Sequence, residues 1–271
     1  MNKSPHLFLL LILTLLNCSG PAPANDKIPK HETITLDSKI LGEKRVINVW
    51  LPPQYQTNLD SINVLYMADG GIKEDFPHIA NTLDTLIQTK KIAPVMLVGI
   101  ENTQRRRDLT GATAVATDKE IAPIVGGANA FRSFVEEELF PLVEQRYRVN
   151  KNRSIIGESL AGLFVVETLF LKPEMFDNYI AFDPSLWWND HHLVKTAAEH
   201  LNKFPSSPKK FWFASSSAED IFPHTKSISM LLSQNSPQNL SWNYSDEPKE
   251  EHQTIFRATK RKALIWTLGT P

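Results

Sequence analysis

The spacing of apolar residues changes as the chain runs. Thr33 to Asp37 and Lys44 to Leu51 alternate apolar and polar positions around Leu41-Gly42-Glu43, which predicts a half-exposed antiparallel hairpin at a sheet edge. Pro52-Pro53 ends it. Val64-Leu65-Tyr66-Met67-Ala68 and the run from Val95 to Ile100 are instead continuously apolar, as strands buried on both faces require. Between them Ile79, Leu83, Leu86 and Ile87 recur at helical spacing, and the order strand, helix, strand implies a parallel sheet.

The same alternation continues to the end. Ala130 to Tyr147 reads as a helix that Pro141 must kink or break. Arg153 to Gly157 is a buried strand, Leu160 to Leu171 a helix, and Asn178 to Phe182 a short strand ending at Asp183-Pro184. Helices follow at Asp190 to Phe204, Pro223 to Gln234 and Thr254 to Leu268, with strands at Lys209 to Ala214 and Leu240 to Tyr244 between them. The expectation is one doubly wound α/β domain over residues 25–271, its sheet mostly parallel with an antiparallel N-terminal edge. Glu101 to Gly127 is the exception, since it shows little periodicity. A structureless stretch of that length in a compact domain is functional or mobile.

Residues 1–24 stand apart from the fold. Lys3 precedes an apolar run from Leu7 to Leu16 broken only by Thr14, and Ala22-Pro23-Ala24 offers a small-x-small cleavage site, the pattern of a secretory signal peptide. The run is far short of the roughly twenty residues that span a bilayer, so no stable membrane span is expected and the protein is read as exported, to the periplasm or beyond. Cys18, the only cysteine, follows Leu15-Leu16-Asn17 and offers a second reading, a lipoprotein signal with a lipid anchor at Cys18; against it, Asn17 is larger than the usual residue there. No internal disulfide can form, so stability must come from the core. A net charge of −1 with acids and bases mixed throughout argues against a nucleic-acid partner, and Arg105-Arg106-Arg107 is too short a run to be a basic footprint. His191-His192 has no acid or cysteine at a ligand spacing, so neither a metal nor another cofactor is expected.

Candidate chemistry centres on Ile155-Ile156-Gly157-Glu158-Ser159-Leu160-Ala161-Gly162. A serine on a sharp strand-to-helix turn needs small residues two before and two after it, and Gly157 and Ala161 meet that need. Such a turn exposes the hydroxyl beside the Leu160 amide at a helix N-terminus. Ligands of open α/β sheets collect at the carboxyl ends of the strands. There the later strands are followed by Ser215-Ser216-Ser217-Ala218-Glu219-Asp220 and by Glu250-Glu251-His252-Gln253, giving the order serine, acid, histidine found in α/β-hydrolases. A neutral imidazole with a pKa near about 6.5 can take the serine proton, and a carboxylate on its other nitrogen orients it. His252 is the candidate base. Asp220 or Glu219 is the candidate acid, with Asp220 preferred because aspartate is the commoner choice. The oxyanion would be held by the amides of Leu160 and of Gly71, in Asp69-Gly70-Gly71.

Tyr147-Arg148-Val149 through Ser159 to Phe164, Asp183-Pro184-Ser185-Leu186-Trp187-Trp188-Asn189, Val64 to Gly70, Arg105 to Leu109, and His252 with Thr254-Ile255-Phe256 together resemble the esterases of the esterase D and ferric enterobactin esterase group. The likeness covers most of the chain after residue 24. It implies an α/β-hydrolase acting on carboxylic esters, in a group whose members open siderophore trilactones, hydrolyse S-formylglutathione, deacylate polysaccharides or transfer mycolyl groups. By motif, Ser159 and His252 carry over as nucleophile and base, while the acid varies within the group. Ala161 stands where many members have glycine, and its small side chain keeps the steric argument intact. Arg105, Arg106, Arg107 and Asp108 either line a pocket for an anionic or catecholate-bearing substrate or form a solvated charged loop. Trp187 and Trp188 either wall that pocket or simply pack. The leading expectation is an exported serine esterase with an acyl-enzyme intermediate, acting on a small-molecule ester, with a trilactone siderophore among the candidates. An acyltransferase on the same fold is the alternative, and a ligand-binding lipoprotein without catalysis comes third.

Overall fold

In the computed structural model, which describes residues 26–269, the alternating N-terminal stretches are β1 (Glu32–Ser38) and β2 (Glu43–Trp50), paired antiparallel with Ile34 opposite Ile47. The expected leader, residues 1–24 with Cys18, lies outside the described residues. A single helical turn, α1 (Gln54–Thr57), leads to β3 (Ile62–Met67). The helix α2 (Phe76–Gln88) then connects β3 to β4 (Val95–Ile100), its parallel neighbour. β2 also pairs with β4, antiparallel, so of the hairpin only β1 is an edge. Ile47, Val49 and Trp50 are buried accordingly.

The stretch after β4 is not structureless. It carries two short helices, α3 (Arg105–Leu109) and α4 (Ala116–Ile121), each too brief to leave a periodic apolar signal. What fixes this segment is charge. Arg45, buried on β2, donates to Asp108 Oδ2 at 2.6 Å, and Arg107 donates to Asp108 Oδ1 at 2.7 Å and to Glu43 Oε1 at 2.6 Å. The Arg45 guanidinium lies 5.4 Å from the Phe131 ring centre, so the cation is packed as well as paired.

The fault expected at Pro141 is resolved by a wider turn. α5 (Ala128–Phe134) passes into a π-helical turn at Val135–Leu139 and then into α6 (Phe140–Arg146). Proline has no amide to donate and its ring crowds the carbonyl four residues back; a π turn just before it removes the conflict without ending the helix. Then follow β5 (Val149–Glu158), α7 (Leu160–Leu171), β6 (Asn178–Phe182), α8 (Trp188–Leu201), β7 (Lys209–Ser215), α9 (Phe222–Asn235), β8 (Leu240–Asp246) and α10 (Ile255–Leu268). The sheet order is β1-β2-β4-β3-β5-β6-β7-β8, parallel from β4 onward. The expected α/β architecture with an antiparallel N-terminal edge is therefore present.

Strand residues feed two cores in strict alternation. Val64, Tyr66, Ile155, Tyr179, Phe211 and Phe213 pack with α5 to α9, whereas Leu65, Met67, Ile156, Ile180, Phe182 and Trp212 pack with α2 and α10. This double coverage is why the runs carry no polar alternation. At the centre, β5 and α7 approach closely. A Cβ on Gly157 would lie 2.6 Å from the Ala161 carbonyl, and one on Gly162 would lie 2.9 Å from the Phe182 carbonyl oxygen. The small residues thus let α7 sit against both β5 and the end of β6. Gly157→Ala should cost about 1–3 kcal/mol through overpacking, read as a lower urea midpoint with an unchanged slope; an unchanged midpoint would contradict this account of the turn.

Candidate active site

Three neighbouring strands end in the same unusual way. Asp69 after β3, Ser159 after β5 and Asp183 after β6 have φ of 55°, 57° and 40°, a region that costs a residue with a Cβ about 1–3 kcal/mol and persists only where the surroundings enforce it. The turns at Ser159 and Asp183 are stitched together through their backbones. The Ser159 amide donates to the Phe182 carbonyl at 3.0 Å, the Asp183 amide to that of Ala214 at 2.9 Å, and the Ser185 amide to that of Ser159 at 3.1 Å. Ser159, with ψ of −119°, is the residue before the first turn of α7, and the Leu160 amide at that N-terminus has no acceptor within its own helix.

Ser159 Oγ lies 3.2 Å from His252 Nε2, and His252 Nδ1 lies 3.0 Å from Asp183 Oδ2. The strands bring together residues 93 and 69 positions apart in the chain. Asp183 is fully buried. Its Oδ1 accepts the Ser216 amide at 2.6 Å and its Oδ2 accepts the Ser216 hydroxyl at 2.5 Å. A carboxylate can only accept, so His252 Nδ1 carries the hydrogen, and in the neutral ring Nε2 is left to accept from Ser159. Burial pulls the His252 pKa down, but its hydrogen bond to Asp183, together with the Glu158, Asp183 and Asp220 charges, outweighs it and holds His252 above the usual imidazole value.

This arrangement corrects the expected acid. Asp220 and Glu219 are exposed and make no hydrogen bond to His252 among the described residues; Asp220 acts on His252 only through its charge. The physical reason is strand order. Asp183 ends the strand next to β5, whereas Glu219 and Asp220 lie four and five residues beyond the end of β7 on the way into α9. The usable signal was the aspartate at the end of the strand following the serine turn, fixed by Pro184, in a loop already singled out for its tryptophans.

Two other expectations change. The Gly71 amide donates to Glu74 Oε2 at 2.7 Å, and Glu74 Oε1 accepts from Asn102 Nδ2 at 3.0 Å. An oxyanion can use that amide only after Glu74 swings aside. Arg107 and Asp108 do not form a free solvated loop: both are engaged in the network with Glu43 and Arg45 that anchors α3. Arg105 pairs with Asp69, 2.6 Å from Nε to Oδ1. Trp188 is buried, its Nε1 donating to the Gly111 carbonyl at 3.1 Å, while Trp187 is half-buried beside it, ring centres 5.8 Å apart. Asn189, Asp190 and His191 follow with φ of 51°, 52° and 57°, and Asp118 Oδ2 accepts the Asn189 amide at 2.8 Å. The tryptophan loop and the segment after α3 therefore hold each other. Glu158, just before the serine, is pushed up to about 8 by burial and by the Asp75 and Asp69 charges.

A serine on a left-handed strand-to-helix turn, facing a histidine backed by a buried aspartate at the carboxyl edge of a mostly parallel sheet, defines an α/β-hydrolase. The family model described as "Putative esterase" matches residues 38–264, and the chain belongs to that family. It is similar to the ferri-bacillibactin esterase BesA of Bacillus subtilis, 38% identical over 117 residues, covering 38% of this chain and 40% of that protein. It is also similar to the siderophore triacetylfusarinine C esterase of Aspergillus fumigatus, 42% identical over 98 residues, covering 34% of this chain and 32% of that one. The matches thus span less than half the length of these relatives. Among solved structures, an IroE-like serine hydrolase from Shewanella oneidensis superposes with a TM-score of 0.79 at 26% identity, over 88% of this chain and 79% of that one.

A titration tests the geometry directly. His252, followed by NMR, should titrate above 6.5, and Asp183→Asn should move it down because the imidazolium loses its hydrogen-bonded carboxylate. Asp220→Asn should move it less. The reverse ranking would return the supporting role to Asp220.

Proposed function

We propose that this protein is a serine esterase that hydrolyses carboxylic esters through Ser159, His252 and Asp183. The observation that carries the reading is the unbroken hydrogen-bonded line from Asp183 through His252 to Ser159. Ser159 Oγ attacks the ester carbonyl carbon as its proton passes to His252 Nε2. Asp183 stabilises the imidazolium that forms. The Leu160 amide, at the N-terminus of α7, donates to the oxyanion, and the Gly71 amide joins it once Glu74 releases it. His252 then protonates the leaving alcohol, and water activated by the same ring frees the acyl group.

The substrate class follows from the relatives. BesA and the triacetylfusarinine C esterase are both named for siderophore esters, and the site's position on the strand edge between the tryptophan loop and α3 suits a small-molecule ester. We assign a siderophore ester, with a trilactone as the first candidate. Export follows the leader reading of residues 1–24, which places the enzyme where such a ligand enters a cell, and the short apolar run there leaves acylation at Cys18 as the route to membrane attachment. No helix among the described residues is long and apolar enough to cross a membrane.

Ser159→Ala should abolish hydrolysis of a chromogenic short-chain ester and of a trilactone siderophore. Asp183→Asn should lower kcat by about 10²- to 10⁴-fold by leaving the ring in the wrong tautomer, whereas Asp220→Asn should stay within about threefold, as expected of an exposed charge. The base must be unprotonated, so the rate should fall as pH drops through the His252 pKa, which lies above 6.5. Equal rates for the native protein and Ser159→Ala would overturn the assignment.

A further inference from the structure

Ser185 is a buried hydroxyl that the mechanism above does not use. It is 2% exposed, and its Oγ lies 3.3 Å from Ser159 Oγ, its one side-chain hydrogen bond among the described residues. Its position is set on both sides, since its amide donates to the Ser159 carbonyl and its carbonyl accepts the Trp188 amide, each at 3.1 Å. Ser185 shares its turn with Asp183, so one loop touches both ends of the serine–histidine pair.

The direction of the Ser185 hydrogen bond can be deduced. Asp183 accepts from Ser216 and from His252 Nδ1–H, so Nε2 of the neutral ring accepts and Ser159 must donate to it. With its only hydrogen committed, Ser159 Oγ can meet Ser185 only as an acceptor. The Ser185 hydroxyl is therefore the donor, aimed at the reacting atom.

From this we infer that Ser185 is a further catalytic residue, resting on the esterase reading, whose hydroxyl stabilises negative charge on Ser159 Oγ. In acylation the Oγ–H bond breaks toward His252 Nε2 while the Oγ–C bond forms, and Oγ carries partial alkoxide charge in between. In deacylation a water oxygen bonds to the acyl carbon and its proton goes to His252. The C–Oγ bond then breaks, and Oγ takes the proton back from the ring. Ser185 keeps its own proton in both steps and contributes only a hydrogen bond that strengthens as the charge develops. Such a bond is worth more in the transition state than in the resting enzyme, which is the condition for raising kcat. The oxyanion donors, the Leu160 amide at the start of α7 and the Gly71 amide after β3, act on the substrate oxygen, while Ser185, after β6, acts on the nucleophile. The two sets do not duplicate each other.

The test compares the native protein with Ser185→Ala and Ser185→Thr, using a chromogenic short-chain ester and a fluorophosphonate that phosphonylates an activated serine. Ser185→Ala should lose about 10- to 100-fold in kcat and in labelling rate, the size expected for a hydrogen bond to a charged atom. KM should stay within about twofold, and the midpoint of the acid limb should not move, because His252 and Asp183 are untouched. Ser185→Thr, which keeps the hydroxyl, should recover most of the rate. If Ser185→Ala does not fold, Ser185→Cys, with its weaker donor, should show the same loss in smaller measure. A kcat within about twofold of native overturns the inference, and so does a loss accompanied by a shifted acid limb, which would trace the damage to the histidine. Failure of the native protein to label at all would instead overturn the esterase reading beneath it.

Discussion

The structure of the site depends on a carboxylate shut away from solvent. Asp183 is fully buried and no lysine or arginine is paired with it among the described residues. A buried charge is tolerated only where hydrogen bonds replace its hydration. Asp183 has three donors, the Ser216 amide, the Ser216 hydroxyl and the His252 ring. That requirement fixes the ring's tautomer, and the tautomer in turn fixes which way the Ser159 and Ser185 hydroxyls point. The strained backbone at Ser159 and Asp183 is the geometric counterpart, since each side chain leaves its strand at an angle that ordinary extended residues cannot adopt.

A second constraint lies in the charged loop facing this centre. Of the arginines after β4, Arg105 pairs with Asp69 and Arg107 with Glu43 and Asp108, while the exposed Arg106 donates to the Ile121 carbonyl, so Arg105 and Arg107 serve first to set the position of α3. The tryptophan loop is tied to the same segment through Gly111 and Asp118. Glu74 rests on the Gly71 amide, so that amide is already engaged in the free protein.

Much of this was legible in the residues. Continuous apolar runs located the buried strands because double-sided burial leaves no polar face, and the small residues around Ser159 announced the turn because nothing larger fits between β5 and α7. His252 was legible because it follows the last strand. Asp183 was not identified as the acid, since an aspartate before a proline reads as an ordinary strand end, and only the pairing of β6 beside β5 brings it to the His252 that faces the serine turn. The short helices α3 and α4 were hidden for a related reason: long-range ion pairs hold α3 and hydrogen bonds to Asp118 hold α4, and these leave no periodic trace in local sequence. Pro141 was read as a fault, which it is, but the sequence did not say that a π turn would absorb it.

The measurement that bears most directly on this account is the far-downfield proton resonance of an imidazole N–H held by a buried carboxylate. The account predicts that the native protein shows it for His252, that Asp220→Asn and Glu219→Gln keep it, and that Asp183→Asn loses it. A resonance that survives Asp183→Asn and disappears in either of the other two would contradict the assignment of Asp183 as the group that steadies the histidine.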